Sequence, residues 1–507
     1  MSRPPWFRAM PNNSSDIAAG PWYTGLTRYH WFVLIVCSLG WLFDTMDQQL
    51  FLLGRTPALT ALLAPGTGPA EISRYGGYAT TIFMFGWATG GLIFGVLGDR
   101  WGRAKTMMLA IVAYSAFTGL SALSVTWWDF SAYRFLTGLG VGGEFAAGVA
   151  LVAEVMPPRA RPYALGTLQA LSAFGNMMAA CISFALPPQA AVGGVQGWRL
   201  MFVVGIVPAI LVILVMRRLK EPESWVKAKA EMAEAAAAFS SEPAATSSSE
   251  PAAEAGGYPD ISHPPPLPRR ARKLGSLREF FTDRRWRRNA LVGLVLAMAG
   301  VMGLWGVGFW MSELVRNNAL AHLDKPTQDW YASLASLLQN GGAFFGIYAF
   351  SLLTGLVGRR PAFAVSFVVG LVTVIGVFGF MTQPSHVWWM APLLGFATLM
   401  VFGGYSIYFP ELFPTRLRAT GTGFCYNVAR YLSASAPFML GMLATAYLAP
   451  AGTERAAQGL SDLTVLSSLG SVDNAFRYAA ITVACIYVLG LAALPFAPET
   501  RGKPLPE

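Results

Sequence analysis

Twelve stretches of this chain are apolar for 19 to 30 residues at a time: 29–53, 75–98, 105–125, 127–155, 161–186, 198–216, 289–315, 328–355, 361–381, 386–408, 419–448 and 474–496. They do not alternate polar with apolar positions, and they are far longer than barrel strands. Each is long enough to cross a hydrocarbon core of ~30 Å at ~1.5 Å rise per residue. Backbone N–H and C=O groups in lipid must be satisfied within the segment, so runs of this kind are helices. The pattern predicts an all-α integral membrane fold of twelve transmembrane helices. The first run is too long for the h-region of a signal peptide and is expected to stay as the first membrane helix.

The polar stretches set the organisation. Residues 1–28 form a tail, 29–216 a six-helix half, 217–288 a linker, 289–496 a second six-helix half, and 497–507 a second tail. The middle of the linker, SSEPAATSSSEPAAEAGGYPDISHPPPLP, is poor in large apolar residues and reads as a flexible segment. KAKAEMAEAAAAF (227–239) is expected to form a short surface helix. RRARKLGSLREFFTDRRWRR (269–288) is strongly basic immediately before a membrane helix. It suits anionic lipid headgroups, and it equally suits the ordinary bias that keeps basic residues inside.

Composition agrees with a lipid-solvated chain. The 507 residues are 54% hydrophobic and only 13% charged, with a mean hydropathy of +0.46. The net charge of +10 is unevenly spread: with both termini inside, about 28 of the 37 Lys and Arg fall in cytoplasmic segments. That asymmetry predicts a multi-pass protein of the cell membrane with both ends cytoplasmic. The basic charge is therefore topological and does not point to nucleic acid. Cys37, Cys181, Cys425 and Cys485 all lie in apolar runs and read as buried small hydrophobes. The four histidines are scattered, so neither a metal nor a cofactor is expected. No nucleophile–base set is found, which argues against an enzyme. The partners implied are a small-molecule substrate, protons and the bilayer, for a monomer.

The chain also repeats itself. EVMPPRAR (154–161) and ELFPTRLR (411–418) share the form E-x6-R with Pro in the fourth place, 257 positions apart. GDRWGR (98–103) is echoed by LVGRR (356–360) at an offset of 256, and PES (222–224) by PET (498–500) at 276. Echoes in the same order mark two halves descended from one duplicated unit. Paired halves with a site between them are the usual build of a secondary transporter. A carboxylate at a helix end beside basic loops makes a latch that can open where water reaches it. A static clamp would use the same residues.

At these residues the chain resembles the major facilitator superfamily across all twelve runs. Gly95, Asp99, Arg100, Gly102 and Arg103 match the signature G-x3-D-[RK]-x-G-R-[RK], with Ala104 in the last basic place and Lys105 following. The second copy is degenerate, with Gly355 and Leu356 where Asp and Arg would stand. The resemblance implies a cytoplasmic gate of Gly95, Asp99, Arg100, Gly102, Arg103, Glu154, Arg161, Arg359, Arg360, Glu411 and Arg418. E-x6-R and PES/PET resemble the sugar-porter branch. RFLTGLGVGGEF (134–145) and FPELFPTRLRATGTGFCYNVAR (409–430) look closer to the sialate and metabolite:proton symporters, a branch that moves organic acids with protons. Sugar porters carry a Gln pair in the seventh helix, and none occurs in ALVGLVLAMAGVMGLWGVGFWM here.

Ionisable residues at membrane depth are functional candidates. Asp44 and Asp47, three apart in GWLFDTMDQQLF, share one helix face. Two carboxylates in a low-dielectric cavity do not both ionise easily, which suits a proton carrier. An ion pair with Arg134 is the structural alternative. By helical rise, Asp47 and Arg134 lie at similar depth, and Glu144 is about 15 Å further along its helix toward the cytoplasm. Asp44, Asp47, Arg134 and Glu144 are therefore the proton-coupling candidates. Arg430 lies about 17 Å into the eleventh run. Its planar fork matches a carboxylate, and no acid occurs in the helices of its own half away from their ends. Its partner is a substrate anion, an acid of the first half or backbone carbonyls. Gln169, Asn176, Asn427, Tyr405 and Tyr408 complete the candidate substrate contacts; Gln339 and Asn340 line the cavity or join helices. Together these residues predict a proton-coupled symporter of a small organic acid, working by alternating access. A sugar or polyol transporter and a transporter-like receptor are the competing readings.

Overall fold

The computed structural model describes residues 21–188, 191–210, 218–241, 273–433, 439, 443 and 472–506. Most of the tail 1–28, the centre of the linker and the later part of the eleventh run lie outside them. The described chain is helical apart from a hairpin, Ala191–Val192 paired with Val195–Gln196, that turns through Gly193 and Gly194.

A helix sits on each of the twelve apolar runs. In the first half these are α1 (Arg28–Leu62), α2 (Pro69–Trp101), α3 (Arg103–Ser121), α4 (Trp127–Val155), α5 (Arg161–Ala170) with α6 (Ser172–Ala185), and α7 (Gly197–Val204). The linker contributes α8 (Glu223–Ser241) and α9 (Leu277–Thr282). The second half has α10 (Arg284–Gly306), α11 (Lys325–Val357), α12 (Arg359–Phe380), α13 (Pro384–Leu412), α14 (Arg418–Ser433), and α15 (Val472–Ala484) with α16 (Ile486–Ala493). Nine spans among the described residues are long and apolar enough to cross a membrane: Arg28–Leu62, Arg74–Trp101, Trp127–Val155, Arg161–Ala185, Arg284–Arg316, Trp330–Val357, Arg359–Phe380, Pro384–Leu412 and Phe476–Phe496. The other three runs carry α3, the shorter apolar helix Gly197–Ile210 and α14.

Small residues let the helices of each half approach closely. Side chains built on Gly90 or Gly142 would collide with the backbone of the facing helix, at Leu139 and Trp87 respectively. Van der Waals packing of this kind replaces the hydrophobic drive that lipid removes. The halves meet along two seams, α2 with α14 and α5 with α11 and α13. Asn176 crosses the second seam, donating to Asn340 Oδ1 at 2.9 Å.

Two spans are broken. The α5–α6 span is interrupted at Leu171, two residues past Gln169. α10 ends at Val307, and the chain continues through a 3-10 turn and a π-helical stretch, Leu314–Ala319. Gln339 Nε2 donates to the freed Gly308 carbonyl at 2.8 Å, so this Gln joins helices. The cysteines divide: Cys37 and Cys425 are buried as expected, whereas Cys181 and Cys485 are exposed on the protein surface. Their helices turn those faces outward, where an apolar medium and not the core would cover them.

Candidate functional site

Two polar systems stand out, one where the basic loops gather and one in the middle of the bundle. The first, here called the basic end, is built from the repeated motifs. Gly102 and Gly358 hold positive φ, +117° and +94°, and so start α3 and α12 with a turn that a side chain would strain. A carboxylate then caps each helix. Glu221 accepts from the backbone N–H of Ala104 and Lys105 at 3.2 Å each, and Glu499 accepts from those of Arg359 and Arg360 at 3.0 Å each. The sequence echo aligns Glu223 with Glu499; the structure gives that task to Glu221 instead. The echo holds for the hydroxyls, because Ser224 donates to Glu154 at 3.2 Å and Thr500 to Glu411 at 2.6 Å.

The capped arginines reach the E-x6-R carboxylates in the same way in each half. Arg103 meets Glu154 at 3.0 Å and Asp99 at 3.1 Å, and Arg359 meets Glu411 through two bonds of 2.7 and 3.0 Å. The arginines that close each motif also share a habit. Arg161 donates to Ala153 O at 2.7 Å and Arg418 to Pro410 O at 3.1 Å, each eight residues back. Glu154 does not pair with Arg161 of its own motif among the described residues. Among the described residues Arg161 donates only to main-chain carbonyls. Glu154 takes its second arginine from the opposite half, Arg418, at 2.7 Å.

Asp99 adds a second crossing. Its carboxylate accepts from Ala419 N at 3.1 Å, Thr420 N at 2.9 Å and Thr420 Oγ1 at 2.6 Å, so an acid of the first half caps α14 of the second. Where the duplicate would repeat this, Gly355 faces the Tyr163 ring and no acid is available. Linker residues brace the junction. Trp225 Nε1 donates to Asp99 O, Arg100 Nε to Leu274 O and Arg416 to Glu279. Glu279, Glu221, Trp225 and Thr420 escaped the sequence reading; the only signal was the acid immediately before PES.

The second system lies in the membrane-spanning core. Asp47 and Arg134 form a buried pair at 4.0 Å. Arg134 also donates to Ser121 Oγ at 2.6 Å and lies 4.9 Å from the Phe202 ring centre, while its Nη1 and both Asp47 oxygens make no hydrogen bond among the described residues. Glu144 is buried against α1: a methyl placed on Gly40 would overlap its Oε1. Asp44, one turn further along α1, is within electrostatic reach of Glu144, Asp47 and Arg430.

Arg430 is buried between aromatic faces, 3.9 Å from the Trp87 ring centre and 4.0 Å from that of Tyr426. Its Nη1 donates to Tyr426 O and Asn427 Oδ1, and its Nε has no acceptor among the described residues. Tyr426 stacks on Phe145 at 3.9 Å, and Phe145 lies 4.8 Å from Trp41. Trp41 Nε1 and Trp87 Nε1 are likewise buried without acceptors. Gln169 lies beside Tyr426 with its Oε1 unbonded. Three other candidates are placed differently. Asn176 is engaged at the seam, Tyr405 donates to Leu296 O at 2.7 Å, and Tyr408 donates to Pro498 O at 2.7 Å near the basic end. The tryptophans were missed because an unmet N–H donor is visible only once neighbours are placed.

Comparison with known proteins fits this arrangement. The family described as Sugar (and other) transporter matches residues 61–507. The cis,cis-muconate transport protein of Acinetobacter baylyi is 25% identical over 71% of this chain and 76% of its own length. The niacin transporter NiaP of the same organism is 25% identical over 82% of this chain and 87% of its own. Among solved structures, the proton:xylose symporter XylE aligns with a TM-score of 0.67 at 17% identity, covering 94% of this chain and 98% of that one, which is a likeness of fold. Signature loop, paired halves and a match over most of the length together make this chain a member of the Sugar (and other) transporter family of the major facilitator superfamily, a multi-pass membrane transporter and not an enzyme.

Proposed function

We propose that this transporter is a proton-coupled symporter of a small, flat, unsaturated carboxylate, working by alternating access in the cell membrane with its basic end in the cytoplasm. The observation that carries this reading is a set of three buried N–H donors, Arg430 Nε, Trp41 Nε1 and Trp87 Nε1, that have no acceptor among the described residues. Buried donors are costly unless satisfied, so a site of this kind calls for a ligand rich in acceptors. The surrounding Trp87, Tyr426, Phe145 and Trp41 rings suit a planar π-system more than a puckered sugar. Muconate and niacin, named for the two relatives, are both unsaturated acids.

Coupling follows from charge. An ionised Asp44 gives Arg430 a counter-charge across the two halves. A proton on Asp44 removes it and leaves the guanidinium to the substrate carboxylate. Substrate and proton then favour each other's binding by the same free energy. The loaded carrier buries a neutralised set of charges, and the Glu154–Arg418 and Asp99–α14 contacts open as the halves rock. Asp47 and Arg134 serve as a second protonatable station on the outer side of Asp44.

The test is a thermal-shift series on the purified protein with cis,cis-muconate, nicotinate, succinate and xylose at two pH values. Stabilisation by the first two, stronger at the lower pH, supports the proposal. A shift with xylose and none with the acids overturns it in favour of a sugar carrier.

A further inference from the structure

At the basic end, away from the transport path, a cleft of about 920 Å³ opens between the first turn of α10 and the chain's C-terminal tail. Arg284, Arg285, Arg288 and Asn289 form one wall, and the tail residues Thr500 and Lys503 through Pro506 form the other. Two carboxylates also line it. Glu411 is taken up by Arg359 and Thr500, and Glu499 by backbone N–H groups of Arg359, Arg360 and Arg501. The cations are less occupied. Arg288 donates one bond to Phe496 O at 3.3 Å, Arg285 stacks 4.6 Å from the Trp286 ring centre, and the Arg284 and Lys503 side chains make no hydrogen bond or ion pair among the described residues.

This placement runs against helix electrostatics. A helix N-terminus carries partial positive charge and favours acids in its first turn, yet α10 begins Arg-Arg-Trp-Arg-Arg. Repulsion among these side chains and with the macrodipole is relieved when an anion enters. Guanidinium forks and an ammonium facing one another across a concave cleft match the several oxygens of a phosphate. The tail that forms the second wall has a further role: Pro506 O accepts from Arg418 Nη2 at 3.1 Å, and the same guanidinium holds Glu154.

We propose that this cleft binds a phosphate-bearing anion, which clamps the tail against α10 and so holds Pro506 on the Arg418–Glu154 latch. The phosphate belongs either to an anionic lipid headgroup or to a soluble organic phosphate; both present the same oxygens to Arg284 and Lys503. The proposal is independent of the substrate's identity.

The full chain, purified into neutral phosphatidylcholine nanodiscs, is titrated with inorganic pyrophosphate and followed by thermal shift. In parallel, phosphatidylglycerol retained on the protein is counted by native mass spectrometry. The Arg284→Gln/Lys503→Gln double variant is compared with an Arg278→Gln/Arg287→Gln control that removes the same charge outside the cleft lining. At least a tenfold loss of binding in the first variant and little change in the control supports the site. A pyrophosphate response identifies a soluble phosphate as the ligand, and selective phosphatidylglycerol retention identifies a lipid. The proposal is overturned if wild type binds neither probe, or if the control loses as much as the cleft variant, which would reduce the effect to diffuse surface charge.

Discussion

Glu154 of the first half and Arg418 of the second are bonded at 2.7 Å, both essentially without solvent exposure. Each belongs to its own copy of E-x6-R, so the duplicated motif does its work across the molecule's pseudo-symmetry and not within one copy. A carboxylate that also holds Arg103 thereby ties the loops of one half to the helix start of the other.

The pairing can be tested by double-mutant cycles. Glu154→Gln with Arg418→Gln should show a coupling of about 1–3 kcal/mol, since buried partners in one network are strongly non-additive. Glu154→Gln with Arg161→Gln should be near additive, because among the described residues Arg161 bonds only main-chain carbonyls. Thermal unfolding of the purified variants reads both. Removing one member alone leaves an uncompensated buried charge and should cost about 3–5 kcal/mol. A strong Glu154–Arg161 coupling would contradict the cross-half assignment.

Gly102→Ala and Gly358→Ala should each destabilise the protein by about 1 kcal/mol or more, through strain at positive φ. The two should differ. A methyl at position 102 would overlap Glu221 Oε1, whereas one at 358 would stop 3.1 Å from Glu499 Oε2. The larger drop in Tm is therefore expected for Gly102→Ala, and equal drops would mean that Glu221 swings aside freely.

Glu499 offers a pH readout outside the membrane spans. Burial would raise its carboxyl, but backbone N–H groups of Arg359, Arg360 and Arg501 and the Arg359 charge outweigh that and hold it below the usual glutamate range. A lowered folded value means the stabilisation is complete above the unfolded value of about 4.3 and fades as pH falls through the folded one. Glu499→Gln should accordingly lower Tm at neutral pH, and the gap to wild type should close as pH falls below the folded value. A gap that persists at acid pH would show that the charge is not what caps α12.

Much of this architecture was open to sequence reading, for identifiable reasons. Lipid forces long apolar runs into helices, so the spans around Asp44, Arg134 and Arg430 could be placed by length alone. Duplication made Arg103 and Arg359, or Glu154 and Glu411, recognisable as equivalents. Equivalence does not say which residues meet, however, and Glu154 lies as near the far copy's arginine as the pseudo-symmetry allows. Glu221 was hidden because loop geometry, not motif register, decides which of two neighbouring acids reaches the α3 amides. Tyr405 reads as a cavity residue by type and depth. Its hydroxyl turns to Leu296 O where Gly300 lets α10 approach, a contact that no periodicity encodes.

The central site gives the most direct test of the transport proposal, because Asp44 and Arg430 have separable expected defects. In proteoliposomes, Asp44→Asn should abolish carboxylate accumulation driven by a proton gradient while leaving counterflow in place. The amide keeps the volume, removes the titrating group and leaves Arg430 permanently free of its counter-charge. Substrate binding should then lose its dependence on pH. Arg430→Lys keeps a positive charge but gives up the flat fork and the stacking on Trp87 and Tyr426, so carboxylate affinity should fall by roughly tenfold or more. Arg430→Gln should bind worse still and fail in counterflow as well as in accumulation. The tryptophan donors separate this from a purely electrostatic effect. Trp87→Phe keeps the ring face and removes only the N–H, and should weaken carboxylates several-fold without altering proton coupling. If purified Arg430→Gln, folded by its unfolding transition, binds the acids as wild type does, the anion site is elsewhere. Gln169 and Asn427 would then be the hydrogen-bonding groups of a neutral substrate, and pH-driven uptake in Asp44→Asn would have to be explained through Asp47 and Arg134 alone.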